Sequence, residues 1–270
     1  WCDGALFILN PDAELPTEGD ILNRGLLNYN MPYADETYGA APQEHRLGPG
    51  PGLDGEYLDS LEMAGDAQNY CQDHFAYADV PLTFGTRTGR PCILETFSTW
   101  EFTKFVSDDL HSRGRLLFAN AVYHRAPWLA PLLDVGGTET NWLRNDEYRP
   151  MTDARMNYNR WLSGGKPYLL LMNTDFHAFD HDMVRSYFKR SLFYGIYPSL
   201  FNGTWWDAEK EKWIPLRYWS EPELHNRDRD LFVKYIPIIR SVAQAGWEPL
   251  TYARSNAPED IWVERWGNYA

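Results

Sequence analysis

The stretch that decides the fold is Asp54-Gly-Glu-Tyr-Leu-Asp-Ser-Leu-Glu62. An Asp-Gly turn feeds a short apolar strand, and Asp59 stands where that strand runs out into a loop. In parallel α/β architectures the carboxyl ends of strands are where chemistry is placed. Working outward, Ala5–Leu9, Arg115–Asn120, Asp134–Glu139, Pro167–Asn173 and Ile196–Phe201 read as further strands, giving six between Leu6 and Phe201. Helical patterns separate the later ones. Ser98–Arg113 begins on a Ser-Thr-Trp-Glu capping box and carries Phe102, Phe105, Val106 and Leu110 on one face. Thr152–Leu162 and Asp180–Tyr194 follow, and Leu224–Ala245 predicts a long helix broken or kinked at Pro237. A helix fits Ile21–Tyr29, and the segments 248–253 and 261–266 read as extended.

Apolar strands alternating with helices imply a parallel sheet covered on both faces. The expected fold is α/β, a (β/α)8 TIM-type barrel. With six strands and an opening directly on the first, the chain reads as the later part of a barrel in a longer multi-domain protein. Residues 1–270 are expected to form one catalytic domain, truncated at its start, with long loops at 11–53 and 64–95. An open doubly wound sheet is the competing architecture.

The net charge is −13, which argues against nucleic acid or an anionic membrane as partner, since both require a basic patch. No apolar run is long enough to span a bilayer. Three cysteines, Cys2, Cys71 and Cys92, lack metal-like spacing and cannot all pair with one another. Aromatic residues make up 16% of the chain, with 12 Trp and 17 Tyr. Many fall in polar stretches such as Gly203-Thr-Trp-Trp-Asp207 and Tyr218-Trp219, and aromatic faces in clefts suit the apolar faces of sugars. Asn202-Gly-Thr204 matches an N-glycosylation acceptor pattern.

Polar residues recur at the predicted strand ends. Asp59 is followed by Glu62. Asn120 precedes Tyr123 and His124, and Glu139 precedes Asn141 and Trp142. Asn173 precedes Asp175 and His177, and Asn202 precedes Trp205 and Trp206. Glycoside hydrolysis needs two carboxyl groups flanking the scissile bond, a nucleophile and an acid/base in a retaining enzyme. Asp59 fits the nucleophile. Glu139, two strands on, fits the acid/base, its pKa expected to rise by burial near Trp142; Glu62 is a competing acid. Tyr57, Glu62, Asn120, Tyr123, His124, Trp142, Asn173, Asp175, Trp205 and Trp206 are the expected substrate contacts. No P-loop, Gly-x-Ser-x-Gly elbow or dinucleotide fingerprint is present. Asp175, His177 and His181 offer the alternative of a metal-dependent hydrolase.

The Asp-Gly-Glu-Tyr-Leu-Asp strand resembles the nucleophile strand of retaining (β/α)8-barrel glycoside hydrolases, both the α-galactosidase/α-glucosidase clan and the α-amylase-like enzymes. The resemblance covers residues 54–201 loosely. It implies an Asp nucleophile at the fourth barrel strand, here Asp59, and an acid/base at the sixth, here Glu139. The first clan usually has Asp at that position. The α-amylase-like enzymes carry a Glu at the fifth strand, where this chain has Asn120. A poly- or oligosaccharide or glycoconjugate substrate, no cofactor, and a secreted or extracytoplasmic location follow as expectations; a non-catalytic carbohydrate-binding barrel is the alternative.

Overall fold

The structure, a computed structural model, describes residues 31–39, 53–59, 61, 68–120, 126–145, 147–207, 211–248, 256–258 and 261–267. The predicted strand at 5–9, the predicted helix at 21–29 and the Gly-Pro run at 48–52 lie outside these residues. The other five predicted strands are present as parallel strands: β1 (Gly55–Leu58) and β5 (Leu116–Asn120), then β6 (Val135–Thr140), β9 (Tyr168–Met172) and β10 (Tyr197–Leu200). The chain divides into two compact units, Trp1–Val135 and Gly136–Ala270.

In the first unit β1 pairs in parallel with β5, Leu58 opposite Ala119. Gly55 is required by this pairing, because a Cβ there would lie 2.1 Å from the backbone oxygen of Leu116. A backbone atom cannot swing aside as a side chain can. Gly55→Ala is expected to cost about 2–3 kcal/mol by overpacking, read as a lowered urea midpoint with an unchanged m-value.

The segment 64–95, expected as a long loop with a short extended piece at Pro91–Leu94, holds more structure than that piece. β2 (Gln68–Asn69), β3 (Thr83–Phe84) and β4 (Pro91–Leu94) make a small antiparallel sheet in the order β2-β4-β3, with a 3-10 helix at Gln72–Tyr77. Two-residue strands carry no hydrophobic period, so the pattern hides them. Likewise α1 (Met31–Tyr38) lies within what reads as a loop at 11–53.

α2 runs from Glu95 to Ser112, three residues earlier than the capping-box reading. β4 leads straight into it, leaving no loop for a cap, and Leu94 at the N-cap makes no side-chain bond. Ser98 and Glu101 are therefore buried inside the helix, and Glu101 accepts the Val80 N–H at 2.7 Å. Of the apolar face as read, Phe102, Val106 and Leu110 are buried and Phe105 is half-buried, with α2 packed on β5. At the far end the buried guanidinium of Arg113 binds Asp109 (2.8 Å) and Asp35 (2.7 Å), tying α1 to α2. Those two carboxylates raise its pKa against the opposing effect of burial.

In the second unit β9 pairs in parallel with β6 and with β10. The hairpin β7 (Leu143–Arg144) and β8 (Glu147–Tyr148) leads to α3 (Asp153–Leu162), whose N-cap Thr152 accepts the Arg155 N–H. α4 (His181–Tyr194) is capped by Asp180 and closed by Gly195 at φ +64°. Gly195 is needed twice over, because a Cβ would also stand 2.0 Å from the Trp266 ring. The buried Tyr187 hydroxyl of α4 accepts the Ser199 N–H at 2.9 Å and donates to the Leu170 carbonyl, clamping β9 to β10. Pro198 is tolerated because β10 is an edge strand.

Beyond β10 lie the antiparallel hairpin β11 (Asn202–Asp207) and β12 (Lys212–Arg217), then α5 (Pro222–Arg227) and α6 (Arg229–Ala245). The break falls at Asp228 and not at Pro237, which sits inside α6. Val233, whose carbonyl the proline leaves unbonded, is 70% exposed, so that side of the helix is open to water. The residues 261–267 form no strand; their Glu264 pairs with the buried Arg160 at 2.8 Å. Cys92 is buried and Cys71 half-buried, both as free thiols. Among the described residues no helix is long and apolar enough to cross a membrane.

Candidate active site at the strand ends

Alternation along β1 sorts its side chains. Tyr57 and Asp59 leave one face; Glu56 and Leu58 leave the other. Glu56 is held by α1, its Oε2 accepting from Tyr33 (2.9 Å) and Tyr38 (2.8 Å). Burial first, and then these bonds, push both phenols above their ordinary pKa. That carboxylate is structural. Asp59 is placed differently. The register sets it beside Asn120 at the end of β5, and its Oδ1 accepts from Asn120 Nδ2 at 3.0 Å and from the Tyr57 hydroxyl at 3.4 Å. Asn120 is buried, Asp59 is exposed, and the Tyr57 ring lies 4.8 Å from that of Phe118. A buried amide thus orients an exposed carboxylate at the carboxyl end of two parallel strands.

In the second unit Glu139 pairs with Leu171 one residue before the end of β6. Its expected burial is not found, for Glu139 is exposed. The burial lies instead in Trp142, which is fully buried against Tyr187 (5.2 Å between rings) with the Arg190 guanidinium over it at 5.1 Å. Trp142 is therefore core and not a substrate contact.

Asn173 ends β9 as expected, its N–H bonded to the Thr140 carbonyl. Asp175 organises the turn that follows, accepting the N–H groups of His177 (2.9 Å) and Ala178 (3.4 Å). His177 faces Glu221 (3.0 Å) and His181 faces Asp228 (3.0 Å). Asp175, His177 and His181 thus point to three separate partners. Among the described residues no group of three His, Cys, Asp or Glu is placed to hold a metal ion. Trp205 and Trp206 belong to a β-hairpin and not to an irregular loop. Glu62, Tyr123 and His124 lie outside the described residues.

One cluster at this end of the second unit escapes the sequence reading. The run Glu221–Asp230 reads as a solvated helix start, yet Asp228 is fully buried and accepts from Tyr218 (3.0 Å), His181 (3.0 Å) and Arg227 (2.7 Å). Arg227 also donates to the carbonyls of Phe176 and Phe179, each at 3.0 Å, fixing the turn after β9. Trp219, which the sequence offers with Trp205 and Trp206 as a sugar platform, donates its indole N–H to the Leu200 carbonyl at the end of β10 (3.1 Å). Compared with protein-family models, with curated proteins and with solved structures, the chain gives no match.

Proposed function

We propose that the chain is a retaining glycoside hydrolase of the (β/α)-barrel type, with Asp59 as nucleophile and Glu139 as acid/base. The observation that carries this is the Asp59 carboxylate at a parallel strand end, oriented by Asn120 and Tyr57. The strand order supports the barrel reading. A doubly wound sheet reverses its order at a switch point, whereas within each unit parallel strands consecutive in the chain pair with each other.

Asp59 attacks the anomeric carbon as Glu139 gives its proton to the departing oxygen. Water then releases the sugar, losing its proton to Glu139. Donors on Oδ1 fix the carboxylate before substrate arrives, so less reorganisation is needed in the transition state. A polysaccharide or glycoconjugate substrate places the protein outside the cytoplasm. Screening nitrophenyl glycosides and polysaccharides, with proton NMR following the anomer first released, tests the assignment. Retention of configuration is expected, and inversion overturns it.

One observation favours a second reading, a carbohydrate-binding barrel without turnover. Glu139 is exposed, whereas a catalytic acid works in a site closed to water.

A further inference from the structure

We propose that Trp219, with His177 and Glu221 beside it, forms a carbohydrate-binding subsite at the carboxyl ends of β9 and β10. This rests on the reading of the chain as acting on sugars and deepens it by naming an aromatic platform. Among the described residues four tryptophans are about half exposed or more: Trp128, Trp161, Trp219 and Trp262. Trp161 lies near the end of α3, and Trp262 packs on Phe193 near the end of α4, where the helices lead back to the amino ends of β9 and β10. Trp128 belongs to the 3-10 helix at Pro127–Leu132 in the first unit. Of the four, Trp219 is the one tethered to the carboxyl end of a parallel strand, through its N–H to Leu200.

The tether and the packing fix the ring. Its plane meets those of Tyr218 (5.0 Å, 86°) and Phe232 (5.1 Å, 60°) steeply, and 48% of the residue stays open to solvent. A ring already ordered loses little entropy when a ligand stacks on it. Polar groups lie two residues on and in the turn packed against this segment. Phe176 packs on Tyr218 (5.1 Å) and His177 pairs with Glu221 (3.0 Å), so the turn after β9 and the segment 218–221 lie side by side. His177 is 64% exposed and Glu221 about one-third. Arg227 holds the carbonyls on either side of His177, so this polar pair has a fixed mount. A half-open indole beside an acceptor carboxylate and an imidazole matches a pyranose. Its C–H face stacks on the ring and its hydroxyls donate to Glu221 and exchange hydrogen bonds with His177. A carboxylate at the rim disfavours phosphate or another anion.

The test uses the full chain carrying Asp59→Asn, with soluble starch, xylan and galactomannan in affinity gel electrophoresis and indole fluorescence following their oligosaccharides. At least one polysaccharide is expected to retard the protein. Adding Trp219→Ala weakens that binding by roughly tenfold, while Trp219→Tyr, which keeps an aromatic face and guards against a folding artefact, retains most of it. Affinity unchanged in Trp219→Ala overturns the subsite, whatever becomes of hydrolysis, and so does a lack of binding to all three polysaccharides. Binding lost in Trp219→Ala while Asp59→Asn still hydrolyses keeps the subsite and removes the nucleophile assignment.

Discussion

Asp59→Asn is expected to lower the rate of glycoside hydrolysis by roughly three orders of magnitude or more, with substrate binding largely intact. The amide keeps the shape of the side chain but cannot attack the anomeric carbon. Asn120→Ala separates orientation from nucleophilicity, because it deletes one donor to Oδ1 and leaves the carboxylate. A hydrogen bond to a charged group contributes about 1.5–3 kcal/mol, so a loss of about 10- to 100-fold in kcat is expected there. Tyr57→Phe, removing the longer 3.4 Å contact, should cost less than Asn120→Ala. Kinetics on an activated aryl glycoside check this series. An Asp59→Asn enzyme within a few-fold of wild type removes the nucleophile assignment. Equal losses in Asn120→Ala and Tyr57→Phe remove the ranking of the two donors.

The parts of this site that could be read in advance are those set by short-range patterns. A β-strand alternates its faces, so Asp-Gly-Glu-Tyr-Leu-Asp alone predicts that Tyr57 and Asp59 share a side. Continuous apolar runs such as Tyr168–Met172 mark buried parallel strands, and all five parallel strands fall within a few residues of their expected places. The misses come from partners distant in the chain. Trp142, Asn173 and Asp175 look alike in sequence, as polar or aromatic groups after a strand. Trp142 is nevertheless drawn into the core by Tyr187, 45 positions on. Asp228 and Asp230 stand in one charged run, but only Asp228 meets Tyr218, His181 and Arg227 in a dry setting. Local composition does not record which carboxylate the fold encloses. The same limit explains Pro237. Its position in the chain suggested a break, whereas the chain breaks where the enclosed Asp228 lies, and the helix carries its proline on the open side.

Asp228→Ala is expected to destabilise the second unit by about 3–5 kcal/mol, the range for stripping one partner from a buried ion pair. The fully buried carboxylate is the acceptor for Tyr218, for His181 and for two nitrogens of Arg227. Without it the buried phenol and the guanidinium lose that acceptor together. Their titration reflects the same dependence. The Tyr218 phenol is pushed above its ordinary pKa by burial and then by the Asp228 charge, and the Arg227 guanidinium is raised chiefly by its bond to Asp228. Exposed pairs such as Lys104 with Asp108 and Arg149 with Glu147 carry no such penalty, and their removal should change stability by less than about 1 kcal/mol. Asp228→Asn keeps volume and one acceptor oxygen but turns an N–H toward the Arg227 donors, so an intermediate loss is expected. Urea unfolding monitored by indole fluorescence measures the series, and a loss under about 0.5 kcal/mol in Asp228→Ala shows that the hub bears no weight. Because Arg227 also holds the Phe176 and Phe179 carbonyls, the amides of the turn after β9 should exchange faster in Asp228→Ala. Carbohydrate affinity should then fall with Trp219 still in place, since the turn that carries His177 has lost its mount.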